Sequence, residues 1–304
     1  MNNVQTTKNV FMTSALARCP GLTDTERYEA SPSARAEYIT VEKNVKLHVT
    51  DLGEGTPVVL IHGWPLSDAM YEYQYQFLVN KGYRVIGITL RGFGKSHKPF
   101  GAYNYEVFAR DIHIILDKLD IRDAVLGGFS MGGGIAIHYV AKYGAARVSK
   151  LALFGAAAPS WTRREDYDFG ISEEDVAGLI SLSTVNRPLL LENFGKIFGA
   201  SDTALSTGIA QWLACINIEA SPYATTQSLI ALRDTDLRSE LPKITVPTAI
   251  FHGAKDLICE FALAEQLHQG IKNSYLVKFE FSGHALFLEE LEKFNHELLV
   301  FLQK

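Results

Sequence analysis

Cysteine is scarce in this sequence. The 304 residues include only Cys19, Cys215 and Cys259, an odd number, widely spaced and without a C-x-x-C pair. Neither a disulfide framework nor a thiolate metal cluster is therefore expected, and a reducing compartment, the cytoplasm, fits. Long apolar runs are missing as well. No segment approaches the ~20 apolar residues that cross a bilayer, and Val10-Phe11-Met12 is too short for the ~7–15-residue core of a secretory signal. No membrane partner is expected. Runs of Lys or Arg are also absent, and 29 basic against 34 acidic residues leave a net charge of −5, which offers nucleic acid no electrostatic footprint. With no H-E-x-x-H or other compact His/acid spacing, no metal site is expected, and no cofactor is called for. Gly (24) and Pro (10) are too few for a low-complexity chain, while 47% hydrophobic residues supply a large core. Nothing in the sequence speaks to oligomeric state.

What is present alternates. Residues 1–36, rich in Asn, Thr, Ser and Ala, read as an extension before the folded part. Tyr38–Val41 and Val45–Val49 flank Lys43-Asn44 in the pattern of an antiparallel hairpin. Short continuous apolar runs follow at Pro57–Ile61, Tyr83–Ile88, Ala124–Gly128, Leu151–Phe154, Thr248–Phe251 and Tyr275–Phe279, as expected of strands buried on both faces of a parallel sheet. Between them Phe108, Ile112, Ile115, Leu116 and Leu119 recur at helical spacing, with Arg110, Asp111, Asp117 and Lys118 on the other face. Phe287, Leu291, Phe294, Leu298 and Phe301 repeat the pattern as one C-terminal helix. The expectation is an α/β fold with a mostly parallel central sheet flanked by helices. From 160 to 236 strand runs disappear and helical patterns take over, so this segment is expected to be a cap over the ligand crevice, inserted between core segments 37–159 and 237–304. Its large aromatics, Trp161 among them, suit a substrate pocket or ordinary packing beneath the insertion.

One motif carries chemistry. Gly128-Phe129-Ser130-Met131-Gly132 fits G-x-S-x-G between a strand and a helix, the context of a nucleophile elbow. Gly128 and Gly132 are small because so tight a turn brings the residues two before and two after the serine together. A serine hydroxyl needs a base, and the base needs a carboxylate to orient it. Asp256 follows the Thr248–Phe251 run and His284 follows Tyr275–Phe279, in the order Ser, Asp, His. The loop after Leu151–Phe154 holds no carboxylate before Glu165, and His97, His113, His138, His268 and His296 lie in helical or loop surroundings. His252 is expected to support the turn that carries Asp256. For an oxyanion, the Met131 amide and the Trp64 amide of His62-Gly63-Trp64-Pro65 are the natural donors, although Trp64 and Pro65 also suit plain loop packing. Trp64, Phe129 and Trp161 are the expected pocket side chains.

Together with Arg91-Gly92-Phe93-Gly94-Lys95-Ser96 and His252-Gly253-Ala254-Lys255-Asp256, these runs resemble the α/β-hydrolase superfamily, and more narrowly its cofactor-free haloperoxidase, arylesterase and perhydrolase branch. The resemblance implies a serine hydrolase acting on small esters or lactones through an acyl-enzyme, with peroxide able to replace water and give peracids. Two positions depart from it. The family commonly has an acid two residues before the Arg of the R-G-x-G-x-S turn, where this chain has Thr89, and often a proline where it has Cys259. A serine at the elbow excludes the dehalogenase and epoxide-hydrolase chemistry of this fold, which needs a carboxylate there. Carbon–carbon bond hydrolysis, or a receptor that keeps the triad, remains open.

Overall fold

The computed structural model describes residues Tyr38–Lys304; the expected extension 1–36 lies outside the described residues. Every apolar run named above forms a strand. β1 (Tyr38–Glu42) and β2 (Val45–Leu52) make the hairpin, followed by β3 (Pro57–Ile61), β4 (Arg84–Ile88), β5 (Ala124–Phe129), β6 (Val148–Phe154), β7 (Thr248–Gly253) and β8 (Ser274–Phe279). They join in one sheet in the order β1-β2-β4-β3-β5-β6-β7-β8. The β1–β2 and β2–β4 pairs are antiparallel and the rest parallel. β5 and β7 are buried along their whole length, because helices cover both faces of a parallel sheet and leave no polar side to alternate with.

The strand order decides where a ligand binds. From β3 the chain steps outward to β4 and then returns to lay β5 on the other side of β3. Loops leaving β3 and β5 therefore diverge, and the crevice between them lies at the carboxyl ends of the strands. Three of the helices that follow these strands are α1 (Glu72–Asn80), α2 (Tyr105–Lys118) and α3 (Met131–Tyr143). No helix among the described residues is long and apolar enough to cross a membrane.

Two helical expectations need correction. Asp111, placed on the polar face of α2, is fully buried, because it is the partner of Arg91. Arg91 Nε donates to one carboxylate oxygen at 2.6 Å and its Nη2 to the other at 2.8 Å, with Glu42 adding a contact at 3.0 Å. The two-pronged geometry fixes the Arg91–Ser96 turn. The C-terminal pattern is split: after α8 (Phe261–Gly270), α9 (Leu286–Glu289) ends and α10 (Leu291–Gln303) begins. Glu290 is the break, its carboxylate accepting from the Phe281 amide at 3.1 Å and the Ser282 hydroxyl at 2.7 Å. Phe287 and Phe294 are buried on either side, so the apolar period survives a change of direction.

Four helices lie between β6 and β7: α4 (Glu173–Val185), α5 (Arg187–Lys196), α6 (Thr207–Ile218) and α7 (Pro222–Asp234). Each starts on a side chain that accepts from an amide three residues on: Ser172, Asn186, Ser206 and Ser221. Such caps contribute about 1 kcal/mol each. Apolar residues of the four helices, among them Val176, Leu190, Leu213 and Ile216, are buried, and the helices' position comes from tertiary contacts.

Removing the carboxylate of Asp111 strands the Arg91 guanidinium in the interior. Asp111→Ala is expected to lower unfolding stability by about 3–5 kcal/mol, measured by urea denaturation; a loss within the range of an ordinary surface substitution would show that Glu42 alone suffices for Arg91.

Candidate active site

Ser130 stands between β5 and α3 with φ 53° and ψ −119°. A side chain at such a positive φ is held in a sparsely populated backbone state, which persists only where the surroundings over-determine it. The surroundings here are backbone packed on backbone. A Cβ at Gly128 would meet the Gly132 carbonyl at 2.3 Å, and one at Gly132 would meet the His62 and Ile61 carbonyls at 2.5 Å. Both glycines are thus obligatory for the close approach of elbow, helix and β3 loop.

Gly63 belongs to the same contact, since a Cβ there would lie 2.8 Å from the Cβ of Ser130. The β3 loop is consequently pressed against the serine. Neither the Trp64 amide nor the Met131 amide donates a hydrogen bond to any other group among the described residues. Both N–H groups are thus unspent, one in the β3 loop and one in the residue after Ser130. His62 fixes the loop from behind: it is fully buried, its Nδ1–H donates to the Gly63 carbonyl at 2.9 Å, and its Nε2 accepts from the Leu90 amide at 2.9 Å. The Trp64–Pro65 peptide is cis, and the Trp64 indole N–H donates to the Thr225 carbonyl of α7 at 3.1 Å.

Asp256 and His284 are brought together as expected. His284 Nδ1–H donates to Asp256 Oδ2 at 2.7 Å, while Oδ1 accepts from the amides of Ile258 at 2.9 Å and Cys259 at 2.8 Å. Burial pushes the Asp256 carboxyl up, but the charge and hydrogen bond of His284 outweigh it and hold the group below the ordinary carboxylate range. The outcome is an anion pointed at an imidazole. His284 Nε2 is buried and has no hydrogen-bond partner among the described residues. Its ring packs on Phe129, the neighbour of Ser130, at 4.6 Å between centroids. His252 does support the turn: its Nε2–H donates to the Cys259 carbonyl at 2.7 Å. Cys259 is fully buried, its thiol beside the Ser130 hydroxyl and its pKa pushed well up by burial. An inert thiol fits that place.

Ser130 opens into a cavity of about 410 Å³. Trp64, Trp161, Leu182, Leu190, Phe194 and Ile258 contribute most of an apolar wall, with Asp175 and Asn193 among the few polar groups. Trp161 is locked there by its indole N–H, which donates to the Ile258 carbonyl at 2.8 Å. Phe129 is the exception among the expected pocket residues. Strand alternation turns its ring away from the cavity, beneath His284 and against Phe198 and Phe287.

Sequence reasoning missed two carboxylates. Thr89, standing where an acid is common, donates through its hydroxyl to Asp68, which also accepts from Thr50 at 2.6 Å and from the Tyr75 hydroxyl at 3.1 Å. The charge has moved to another turn and still reaches the same spot. Glu289 accepts from the Ala200 amide at 2.7 Å with one oxygen and from the Gly283 amide at 2.8 Å with the other, tying the loop before α6 to the loop of His284. Neither lies in a recognisable motif, because both act through backbone amides or hydroxyls distant in the chain.

The α/β-hydrolase fold family model matches residues 56–291. The chain belongs to the α/β-hydrolase family. This hydrolase is 46% identical over 258 residues to an AB hydrolase superfamily protein of Bacillus subtilis, covering 85% of its own chain and 96% of the relative. Among solved structures it is similar to an esterase from Exiguobacterium antarcticum, with TM-score 0.86 and 44% identity over 89% of this hydrolase and 100% of the esterase. A bromoperoxidase from Bacillus anthracis superposes with TM-score 0.85 and 35% identity, covering 88% of this hydrolase and 99% of that chain.

The buried imidazole of His62 makes the hydrolase acid-sensitive. Burial lowers its pKa from 6.5 to about 4, so the unfolded chain takes up a proton that the folded one refuses. The stability this supplies is complete above about pH 6.5 and is lost as pH falls towards about 4, by about 3 kcal/mol at ~1.4 kcal/mol per pH unit. His252, also lowered by burial, acts in the same direction. Urea midpoints taken from about pH 7 down to about pH 4 are expected to fall; a flat profile would mean that burial does not lower the His62 pKa in the fold.

Proposed function

We propose that this protein is a serine hydrolase of small, neutral, apolar carboxylic esters, lactones included. Ser130 Oγ attacks the carbonyl carbon and its proton passes to His284 Nε2. Asp256 holds the imidazole in the required tautomer, and the Trp64 and Met131 amides receive the oxyanion. Collapse breaks the carbon–oxygen bond of the ester, the alcohol leaves with the proton of His284, and water then releases the acid by the same steps in reverse. The observation that carries this reading is the pairing of a buried Asp256–His284 hydrogen bond with an unpartnered imidazole nitrogen on a ring that packs against Phe129, the residue before the elbow serine.

Substrate class follows from the walls. A largely apolar cavity of about 410 Å³ suits an alkyl or aryl acyl group, and a carboxylate near Asp175 is disfavoured by like charge. On this reading segment 160–236 is the cap, since Trp161, Leu182, Leu190 and Phe194 supply the walls from it. The likeness to a bromoperoxidase, together with Trp64-Pro65 at the nucleophile, favours perhydrolysis as a second activity, in which hydrogen peroxide replaces water and a peracid forms.

A fluorophosphonate probe is expected to label the protein and to leave Ser130→Ala unlabelled. On p-nitrophenyl esters Ser130→Ala or His284→Ala should each lower kcat about a thousandfold or more, and the double variant little further. An unlabelled native protein would sink the assignment of the nucleophile. For perhydrolysis, peracid formation from acetate and peroxide should require Ser130, and Pro65→Ala should alter the ratio of perhydrolysis to hydrolysis; an unchanged ratio removes the proline from the account.

A further inference from the structure

Helix α5 is a wall with a cavity on each side. Leu190 and Phe194 face the Ser130 cavity, whereas Leu191 and Gly195 face a second one of about 340 Å³ between α5 and α6. We infer that this second cavity is a binding site for a neutral short-chain alcohol, separate from the site of acyl transfer.

Its chemistry selects the ligand. Leu66, Leu191, Phe198 and Leu213 give it an apolar lining, enough for a short alkyl chain. Asn217 also lines it, is buried, and has an amide oxygen with no hydrogen-bond partner among the described residues. An acceptor left unmade in the interior is costly; a turn about the last side-chain bond offers it to a hydroxyl in the cavity, which is the donor it needs. Charge then excludes the acids. Glu192 and Lys196 neutralise one another across 2.7 Å, and Asp202 leaves the lining one negative charge in excess. A carboxylate is repelled and an uncharged molecule is not.

The position of the cavity gives its occupation a consequence. The buried Phe198 lines it, and the same ring stands edge-on to His284 at 5.5 Å while its carbonyl accepts from the Ala285 amide at 3.0 Å. A molecule seated against Phe198 therefore bears on the group that supports the imidazole. Of the two products of ester cleavage, only the alcohol matches this cavity; that identification rests on the proposed hydrolase activity, but binding does not.

The test is calorimetric titration of 1-hexanol into the full chain with no ester present. One saturable site is expected, retained in Ser130→Ala, so that failure of the nucleophile assignment leaves this measurement intact. Ala210, an exposed residue of the lining, is replaced by Phe to fill the second cavity, and Leu179 by Trp to fill the first. Binding should vanish in Ala210→Phe, persist in Leu179→Trp and weaken about tenfold in Asn217→Leu, with circular dichroism of each variant matching the native protein. Absence of saturable heat in the native chain, binding retained in Ala210→Phe, or binding lost in Leu179→Trp would each overturn the inference.

Discussion

The structure depends on one close approach: the backbone of the β3 loop against the backbone of the elbow. Gly132 lies on the carbonyls of Ile61 and His62, Gly63 lies on Ser130, and Gly128 lies on Gly132. With no side chain between them, the Ser130 turn and the loop that carries Trp64 are in direct backbone contact. The positive φ of Ser130 is tolerated because strands β3 and β5, paired in parallel register from Val58 and Val125 onward, hold both ends of the contact. Moving either strand by a fraction of an ångström would pull the Ser130 turn away from the β3 loop.

The segment between β6 and β7 is fastened to that centre by hydrogen bonds from several loops. The Trp64 indole reaches the Thr225 carbonyl, the Ser221 amide donates to the Gly92 carbonyl at 2.8 Å, the Trp161 indole to Ile258 and the Ala285 amide to Phe198. The stretches after β3, β4, β7 and β8 each contribute at least one such tie. The four helices are therefore positioned by the same strand ends that carry the candidate chemistry. Their capped starts are consistent with this, since propensity and caps decide that helices form and tertiary contacts decide where.

Much of this was legible in the sequence, and the part that was not has a common cause. All eight strands announced themselves, β1 and β2 by the alternation of a hairpin and the other six by the continuous apolar runs that a parallel sheet buried on both faces needs. The turn at Ser130 and the Asp256–His284 pair were legible because in this fold the candidate nucleophile, acid and base each follow a strand in fixed order. Asp111 was misplaced because helical period reads a charge as a surface residue, and the buried Arg91 that pairs with it comes from a distant loop. Phe129 was misassigned because proximity in the chain to Ser130 is not proximity to the cavity when successive strand side chains point in opposite directions. Asp68 and Glu289 escaped notice for a related reason: the one accepts from the hydroxyls of Thr50, Thr89 and Tyr75 and the other from the amides of Ala200 and Gly283, and no spacing encodes such partners.

The Glu289 clamp bears on how this protein can diversify. One carboxylate grips the chain at Ala200 and at Gly283, so the short stretch from Phe198 to Ala200 is yoked to the loop of His284. Insertions at Ser201–Leu205, just beyond it, leave that yoke in place, and so do changes along the outer faces of α4 and α6. A single residue added between Phe198 and Ala200 would instead shift the imidazole. Natural variants and engineered libraries should accordingly explore new substrates through the rest of the segment while keeping the length of this one strap constant.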